Sequence, residues 1–149
     1  MKELKNKIIV LASDHAGFDK KQVIIRYFKE IGIEYKDLGS FTDESTDYPD
    51  FGHLLGEAID KGEYQTGISF CGSGQGINIT ANKHPKVRSA LCWSPEIAVL
   101  AKQHNDANVC SIPSRFLSDQ ETVEVVKAFL SSEFEGGRHA RRISKIPIK

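Results

Sequence analysis

Phe70-Cys71-Gly72-Ser73-Gly74-Gln75-Gly76 is the stretch whose reading decides the fold. Just before it, Thr66-Gly67-Ile68-Ser69-Phe70 is short, β-prone and mostly apolar, and it reads as a buried parallel strand. Just after it, Ile77-Asn78-Ile79-Thr80-Ala81-Asn82-Lys83 can start a helix. The stretch is therefore a strand-to-helix turn with glycine at alternate positions. Glycine permits positive φ and lets a ligand approach the backbone closely. N–H groups exposed at a helix start attract anions. A cysteine at the head of such a turn is expected to feel that positive end, so the thiol pKa of Cys71 is expected to fall. A sulfur beside a bed of amide donors suits removal of a carbon-bound proton and retention of the oxyanion that results. The competing reading of Cys71 is a small core hydrophobe at a strand end.

Outward from this turn, strands and helices alternate. Residues 7–12 form a continuous apolar run, read as a strand buried on both faces. Ser13-Asp14-His15-Ala16-Gly17 is the first turn, followed by a helix with Ile24, Phe28 and Ile31 on one face and Gly32 at its end. A second strand is predicted over 33–38 and a polar, acidic loop over 39–49. Asp50 is expected to cap a helix carrying Leu54, Leu55, Ala58 and Ile59 that stops near Gly62. After the Cys71 turn come a strand over 87–93 and a helix opened by Ser94-Pro95-Glu96 that runs out near His104-Asn105-Asp106. A fifth strand over 108–112 precedes a capping box, Ser118-Asp119-Gln120-Glu121, and a helix with Val123, Val126, Phe129 and Leu130. Residues 134–149 make a basic tail with a short final helix. The pattern predicts a single α/β domain over 1–149, with a five-stranded parallel sheet between two helical layers. Ligands bind such sheets at the carboxyl ends of the strands. Asp14 and His15, the Cys71–Gly76 turn, and Ser114 with Arg115 all fall there.

Composition narrows the function. With 149 residues, 20 acidic and 20 basic, the chain carries no formal net charge, which speaks against a general nucleic-acid or membrane-surface binder. No apolar run reaches the length of a membrane span. The start, 1–7, leads into a strand and does not read as a signal peptide. Cys71, Cys92 and Cys110 form no CxxC pair, so a reducing cytoplasm is expected and a disulfide framework or structural zinc is not. The dinucleotide fingerprint is absent, since the glycine-rich turn comes third and reads G-x-G-x-G; no GxxxxGK[ST] occurs either.

Several polar residues read two ways. Asp14 and His15 can grip a sugar or a phosphate, or Asp14 can serve as a helix N-cap. His104 can move a proton, or simply sit favourably at a helix C-terminus. Arg115, Arg138 and Arg142 can clamp a phosphate, or form a solvated basic face. Tyr48 can close over a substrate, or pack at a loop end.

Ser13-Asp14-His15-Ala16-Gly17, Thr46-Asp47-Tyr48-Pro49, Cys71-Gly72-Ser73-Gly74-Gln75-Gly76, Ala81-Asn82-Lys83, His104-Asn105-Asp106-Ala107-Asn108-Val109, Ser114-Arg115 and Glu135-Gly136-Gly137-Arg138-His139 occur in that order. This ordered set resembles the ribose-5-phosphate isomerase type B family, which also contains the subunits of galactose-6-phosphate isomerase. The resemblance implies a Rossmann-like α/β/α sandwich and a cofactor-free, metal-free aldose–ketose isomerase of the pentose phosphate pathway. It implies Cys71 as the base shuttling a proton between C1 and C2. The amides of Gly72, Ser73, Gly74, Gln75 and Gly76 would hold the enediolate, and His104 would help open the sugar ring. By the same resemblance Asp14, His15, Asn105 and Tyr48 contact substrate, and Arg115, Arg138, Arg142 and His139 hold the phosphate. It further implies a homodimer or homotetramer with shared active sites, residues 134–149 at the interface, and His104 and Arg115 of one chain meeting Cys71 of the other. Gln75, Asn78 and Pro113 depart from the family pattern, leaving a six-carbon sugar phosphate as an alternative substrate and a non-catalytic sugar-phosphate-binding module as an alternative role.

Overall fold

Ile9 and Leu11 face one side of a sheet while Val10 and Ala12 face the other, as the two-residue period of a strand requires, and all four are fully buried. That is why the run carries no polar alternation. The computed structural model describes residues 7–149; the predicted absence of a leader rests on residues outside that range. The elements are β1 (Ile9–Ser13), α1 (Phe18–Ile31), β2 (Tyr35–Asp37), α2 (Tyr48–Asp60), β3 (Thr66–Cys71), α3 (Gln75–Ala81), β4 (Ser89–Leu91), α4 (Pro95–Asn105), β5 (Val109–Pro113), α5 (Asp119–Ser131) and α6 (Arg138–Ile143). All five strands are parallel, in the order β2-β1-β3-β5-β4.

One core lies between the sheet and α1, α4 and α5, around Phe28, Phe70, Ile112, Val126 and Phe129. A smaller one lies between the sheet and α2 and α3, around Leu55, Ile59, Ala81 and Val87. The result is the expected three-layer α/β/α sandwich. From β1 the chain steps one way to β2 and the other way to β3, so the strand order reverses between β1 and β3. A crevice opens at the carboxyl ends of strands at such a reversal.

The boundaries differ from expectation where capping chemistry competes. Helix α2 starts at Tyr48, with extended Asp47 before it and Pro49 in its first turn; Asp50 lies inside the helix and is not its cap. Proline's fixed φ and missing N–H suit that first turn, so the helix begins earlier than Asp50 suggests. Leu54, expected in the core, is exposed; Gly52, Leu55, Gly56, Ala58 and Ile59 form the buried face. Strands β2 and β4 are only three residues each, and both are edge strands. Ser94 Oγ accepts from Ile97 N at 3.3 Å and Ser118 Oγ from Glu121 N at 3.0 Å, as the two capping motifs predict. Gly32 ends α1 at φ 76°.

Candidate active site

Cys71 is the last residue of β3, buried, and paired in register with Pro113 of β5. Its carbonyl accepts from Ser114 N at 3.0 Å, and the Gly72 carbonyl accepts from Arg115 N at 3.0 Å. The turn then closes through Gly74 at φ 77°. A side chain there would stand 2.5 Å from Leu91 Cδ1 and 3.1 Å from the backbone of Ile112 and Pro113. Only glycine meets both demands. Ser73 Oγ accepts from Gln75 N at 3.3 Å and so supports the start of α3.

The amides of Gly74, Gly76 and Ile77 reach the Cys71 thiol and pull its pKa down. The expected net fall is nevertheless overturned. Burial is the largest influence and pushes the thiol up, and the Asp14 carboxylate pushes the same way. In the single chain the thiol is therefore raised, with anion-stabilising donors already aimed at it.

Asp14 reaches this place because the first turn presses against the end of β3. Asp14 N donates to Phe70 O at 3.2 Å, and Gly17 packs so tightly on the Phe70 carbonyl that a Cβ there would collide with it. Asp14 does not cap α1; Gly17 holds that position, and Asp14 Oδ1 accepts from Gly17 N at 3.0 Å. His15 is fixed by Thr46: His15 N donates to Thr46 Oγ1 at 2.9 Å, and Thr46 N donates to His15 Nδ1 at 3.1 Å. A backbone N–H can only donate, so Nδ1 is the acceptor and Nε2 carries the ring proton. Although Nδ1 also lies 3.2 Å from Thr46 O, that contact requires a protonated Nδ1. Tyr48 packs its ring against Gly76, and the Arg115 guanidinium lies against Gly72, 3.1 Å from where a Cβ would sit.

So one cluster, from a single chain, holds Cys71, the glycine turn, Asp14, His15, Tyr48 and Arg115. Arg115 thus stands beside the Cys71 turn of its own chain, where the resemblance implied that it meets the turn of a partner.

His104, Asn105, Arg138, His139 and Arg142 stand elsewhere. Helix α4 runs antiparallel to the strands, so its end lies at the opening edge of β5, while Cys71 pairs with Pro113 at the closing edge. The length of β5, about 13 Å at 3.3 Å per residue, lies between. At that edge the His104 and His139 rings stack with centroids 4.3 Å apart and planes 10° apart. Glu135 Oε1 is 3.7 Å from His104 Nε2 and 3.5 Å from His139 Nε2. His139 is 6% exposed and its Nε2 has no hydrogen-bond partner. Its imidazole is pushed below its ordinary pKa by burial, then by His104 and Arg138, against the pull of Glu135. Arg138 and Arg142 are exposed, one helical turn apart on α6. The Asn105 carbonyl accepts from Arg88 Nε at 2.9 Å. A groove of about 820 Å³ lies between residues 143–148 and the α3–β4 segment, and its lining does not include Cys71.

Sequence reading missed three contributors. Lys21 is wholly buried on α1 and donates to Asp37 Oδ1 at 2.8 Å and to Ser40 O at 2.5 Å. A signal existed, because Lys21 shares the buried stripe of Ile24, Ile25 and Phe28 at i, i+3, i+4, i+7. Thr46 carries no local signal beyond its place in Thr46-Asp47-Tyr48-Pro49, because its partner His15 lies 31 residues away. Glu135 precedes α6 in irregular backbone, and it reaches both histidines because its N–H donates to Gln103 O at 3.0 Å, which pins it to the end of α4. Asn78, a departure from the family pattern, accepts from Ser89 Oγ at 2.7 Å and ends a chain of hydroxyls through Ser111 to Ser69.

A model of the Ribose/Galactose Isomerase family matches residues 9–146. The chain belongs to that family. Among similar proteins, the probable ribose-5-phosphate isomerase B of Mycoplasma genitalium is 43% identical over 140 residues, spanning 93% of this chain and 92% of the relative. The crystal structure of a ribose 5-phosphate isomerase from Thermotoga maritima superposes with a TM-score of 0.93 at 42% identity, covering 95% of this chain and 98% of that one. The Mycoplasma genitalium ribose-5-phosphate isomerase B with bound ribulose-5-phosphate superposes with a TM-score of 0.89 at 42% identity, covering 93% of each chain. Family members are thus alike over nearly the whole sandwich, and both residue clusters fall within the matched span. The chain is an isomerase by family. No helix among the described residues is long and apolar enough to cross a membrane.

Proposed function

We propose that the chain interconverts D-ribose 5-phosphate and D-ribulose 5-phosphate through an enediolate, as its relatives' names indicate for them. The observation that carries the reading is the Cys71 thiol met by the amides of Gly74, Gly76 and Ile77. In the open-chain sugar, Cys71 as thiolate takes the C2 proton and returns it to C1, while the O2 proton ends on O1. The change is an internal redox exchange, so atoms and electrons balance without an external acceptor. Charge that builds on the sugar oxygens meets N–H donors that are already placed. Arg115 beside the turn favours the anionic substrate, and His15 presents Nε2–H as a donor. His104 assists ring opening, and Arg138, Arg142 and His139 receive the phosphate, whose binding energy positions the reacting carbons.

Two separated clusters in one chain favour a homodimer in which each active site takes Cys71 from one chain and His104 from the other. A two-fold axis completes two such sites at once. In that arrangement residues 134–149 lie at the interface, and the partner's cations lower the Cys71 pKa that burial and Asp14 raise. Three free cysteines fit a cytoplasmic location. A six-carbon sugar phosphate is the second reading, favoured by the family's span of ribose and galactose isomerases.

The test is isomerisation of ribose 5-phosphate by the purified chain in EDTA, with Cys71→Ala as control and a panel including galactose and allose 6-phosphates. Turnover of the pentose that vanishes in Cys71→Ala supports the reading. Turnover of a hexose phosphate alone replaces the substrate. Binding with no turnover of any sugar makes the chain a binding module.

A further inference from the structure

Outside the Cys71 turn, His104, Glu135 and His139 hold three metal-ligating atoms, His104 Nε2, Glu135 Oε1 and His139 Nε2, within 4.8 Å of one another. Two ligands on a tetrahedral zinc stand about 3.4 Å apart, given bond lengths near 2.1 Å. The two histidine–carboxylate separations, 3.5 and 3.7 Å, are already close to that spacing. The histidine–histidine separation has to close as well, and because the rings stack with planes 10° apart, one ring must turn out of the stack to bring its in-plane lone pair onto the metal.

A second observation is independent of the cluster's spacing. His139 Nε2 is buried without a hydrogen-bond partner, in a side chain only 8% exposed, and lies 3.5 Å from Glu135 Oε1. An orphaned ring nitrogen of this kind is costly unless something occupies its lone pair.

We infer that His104, Glu135 and His139 form a binding site for a divalent transition metal of the zinc class, and that the bound metal inhibits the isomerase by occupying the nitrogen of His104. Two imidazoles and one carboxylate suit zinc and not the hard cations calcium or magnesium, which prefer oxygen ligands. Three protein ligands leave a fourth position open. The arginines near His139 work against a bare cation. With Glu135 bound the site keeps one positive charge, so an anion such as phosphate or hydroxide at the fourth position is favoured by Arg138 and Arg142. The inhibition, unlike the binding, rests on the ring-opening role proposed for His104.

The experiment is equilibrium dialysis of the purified full chain against zinc chloride with metal quantified per chain, together with the visible spectrum of the cobalt(II) form. One metal per chain and a tetrahedral cobalt spectrum are expected. Glu135→Gln keeps the side chain's shape and is exposed, so it tests the ligand without endangering the fold. It should weaken zinc binding by about tenfold or more, at least the loss that removal of an outer-shell partner causes. His139→Asn serves as the second variant, with the same expectation. His53→Gln, which removes one member of the separate, exposed His53–His84 pair, should bind zinc as the parent does. Absence of zinc binding, unchanged binding in Glu135→Gln, or loss of binding in His53→Gln each overturns the site. Because these readouts measure metal directly, they stand whether or not the chain turns over ribose 5-phosphate. If it does turn over, zinc should inhibit and EDTA restore the rate; stoichiometric zinc with an undiminished rate overturns the inhibitory half.

Discussion

Lys21 Nζ donates to Asp37 Oδ1 at 2.8 Å from a side chain with no exposure to solvent. Burial pushes this ammonium below its ordinary pKa, while Asp37 pulls it back up. The same Asp37 oxygen accepts from Gly39 N at 2.9 Å, and Ser40 O is a further acceptor for Lys21. Together these bonds hold the start of the 38–47 loop, which ends at Thr46 on His15. Lys21→Ala leaves a carboxylate and a carbonyl without their donor, and should cost about 3–5 kcal/mol in urea unfolding. Lys21→Met with Asp37→Leu removes both charges and should come close to the parent's stability. A loss in the single variant below about 1 kcal/mol, the level of an exposed pair, would show that the buried pair is dispensable.

Gly76 tests whether the Cys71 turn tolerates any change of shape. A methyl group there runs into the Tyr48 ring at Cε1, Cζ and Cδ1. Either the ring moves or the turn does, and a shift of about 1 Å in the amide donors costs about a hundredfold in rate. Gly76→Ala should therefore lower kcat/KM steeply. Adding Tyr48→Ala should recover part of it if the ring is the obstacle, because the two sites are then coupled. Strictly additive losses in steady-state kinetics would place the damage in the backbone alone.

The raised Cys71 thiol carries a signed pH dependence. Its pKa in the folded single chain lies above the ordinary 9.0, so the folded state holds the proton over a range in which the unfolded state has released it. Stability from this group is complete below the unfolded pKa and is lost as pH rises through the folded one. Cys110, also raised by burial, acts in the same direction. Thermal unfolding should show stability falling on the alkaline side, and Cys71→Ala should flatten part of the fall. The thiolate absorbance that this variant removes should titrate above 9.0 in a dissociated chain. Titration below 9.0 would mean that the amide donors outweigh burial.

How much was legible follows from where the signals are local. Glycine and capping residues announce themselves within a few positions, so the Cys71 turn, Gly32, Ser94 and Ser118 gave element types correctly. Asp50 misled because a good capping residue lies just after Pro49, and proline in a first turn is the stronger constraint. The sign of the Cys71 shift was not legible, since it sets burial and Asp14 against amide donors, and burial is a property of the packed sheet. The residue clusters were legible as a set, and the element order alone already put His104 before the fifth strand, away from Cys71, and Arg115 after it. Arg115 follows β5 at its closing edge while His104 precedes β5 at the other, and only the parallel register fixes which edge is which. Glu135 and Lys21 were hidden because their partners, His104 and Asp37, come from other elements.

That division between edges yields the most demanding test of the proposed shared site. Cys71→Ala removes one cluster's base and His104→Ala the other cluster's proton carrier, so each variant alone should be inactive. Unfolded together and refolded, the two chains form mixed dimers. If each site takes Cys71 from one chain and His104 from the other, a mixed dimer carries one doubly damaged site and one intact site. Random pairing makes half the dimers mixed, so the mixture should regain about a quarter of the parent's activity. The intact site should keep the parent's KM, since nothing in it has changed. If instead each chain completes its own site, every site in every mixture lacks one group and no activity returns. A stoichiometric mixture that refolds to dimers by size-exclusion chromatography and stays inactive would place both groups in one subunit's site, and the two edges of the sheet would have to be brought together some other way.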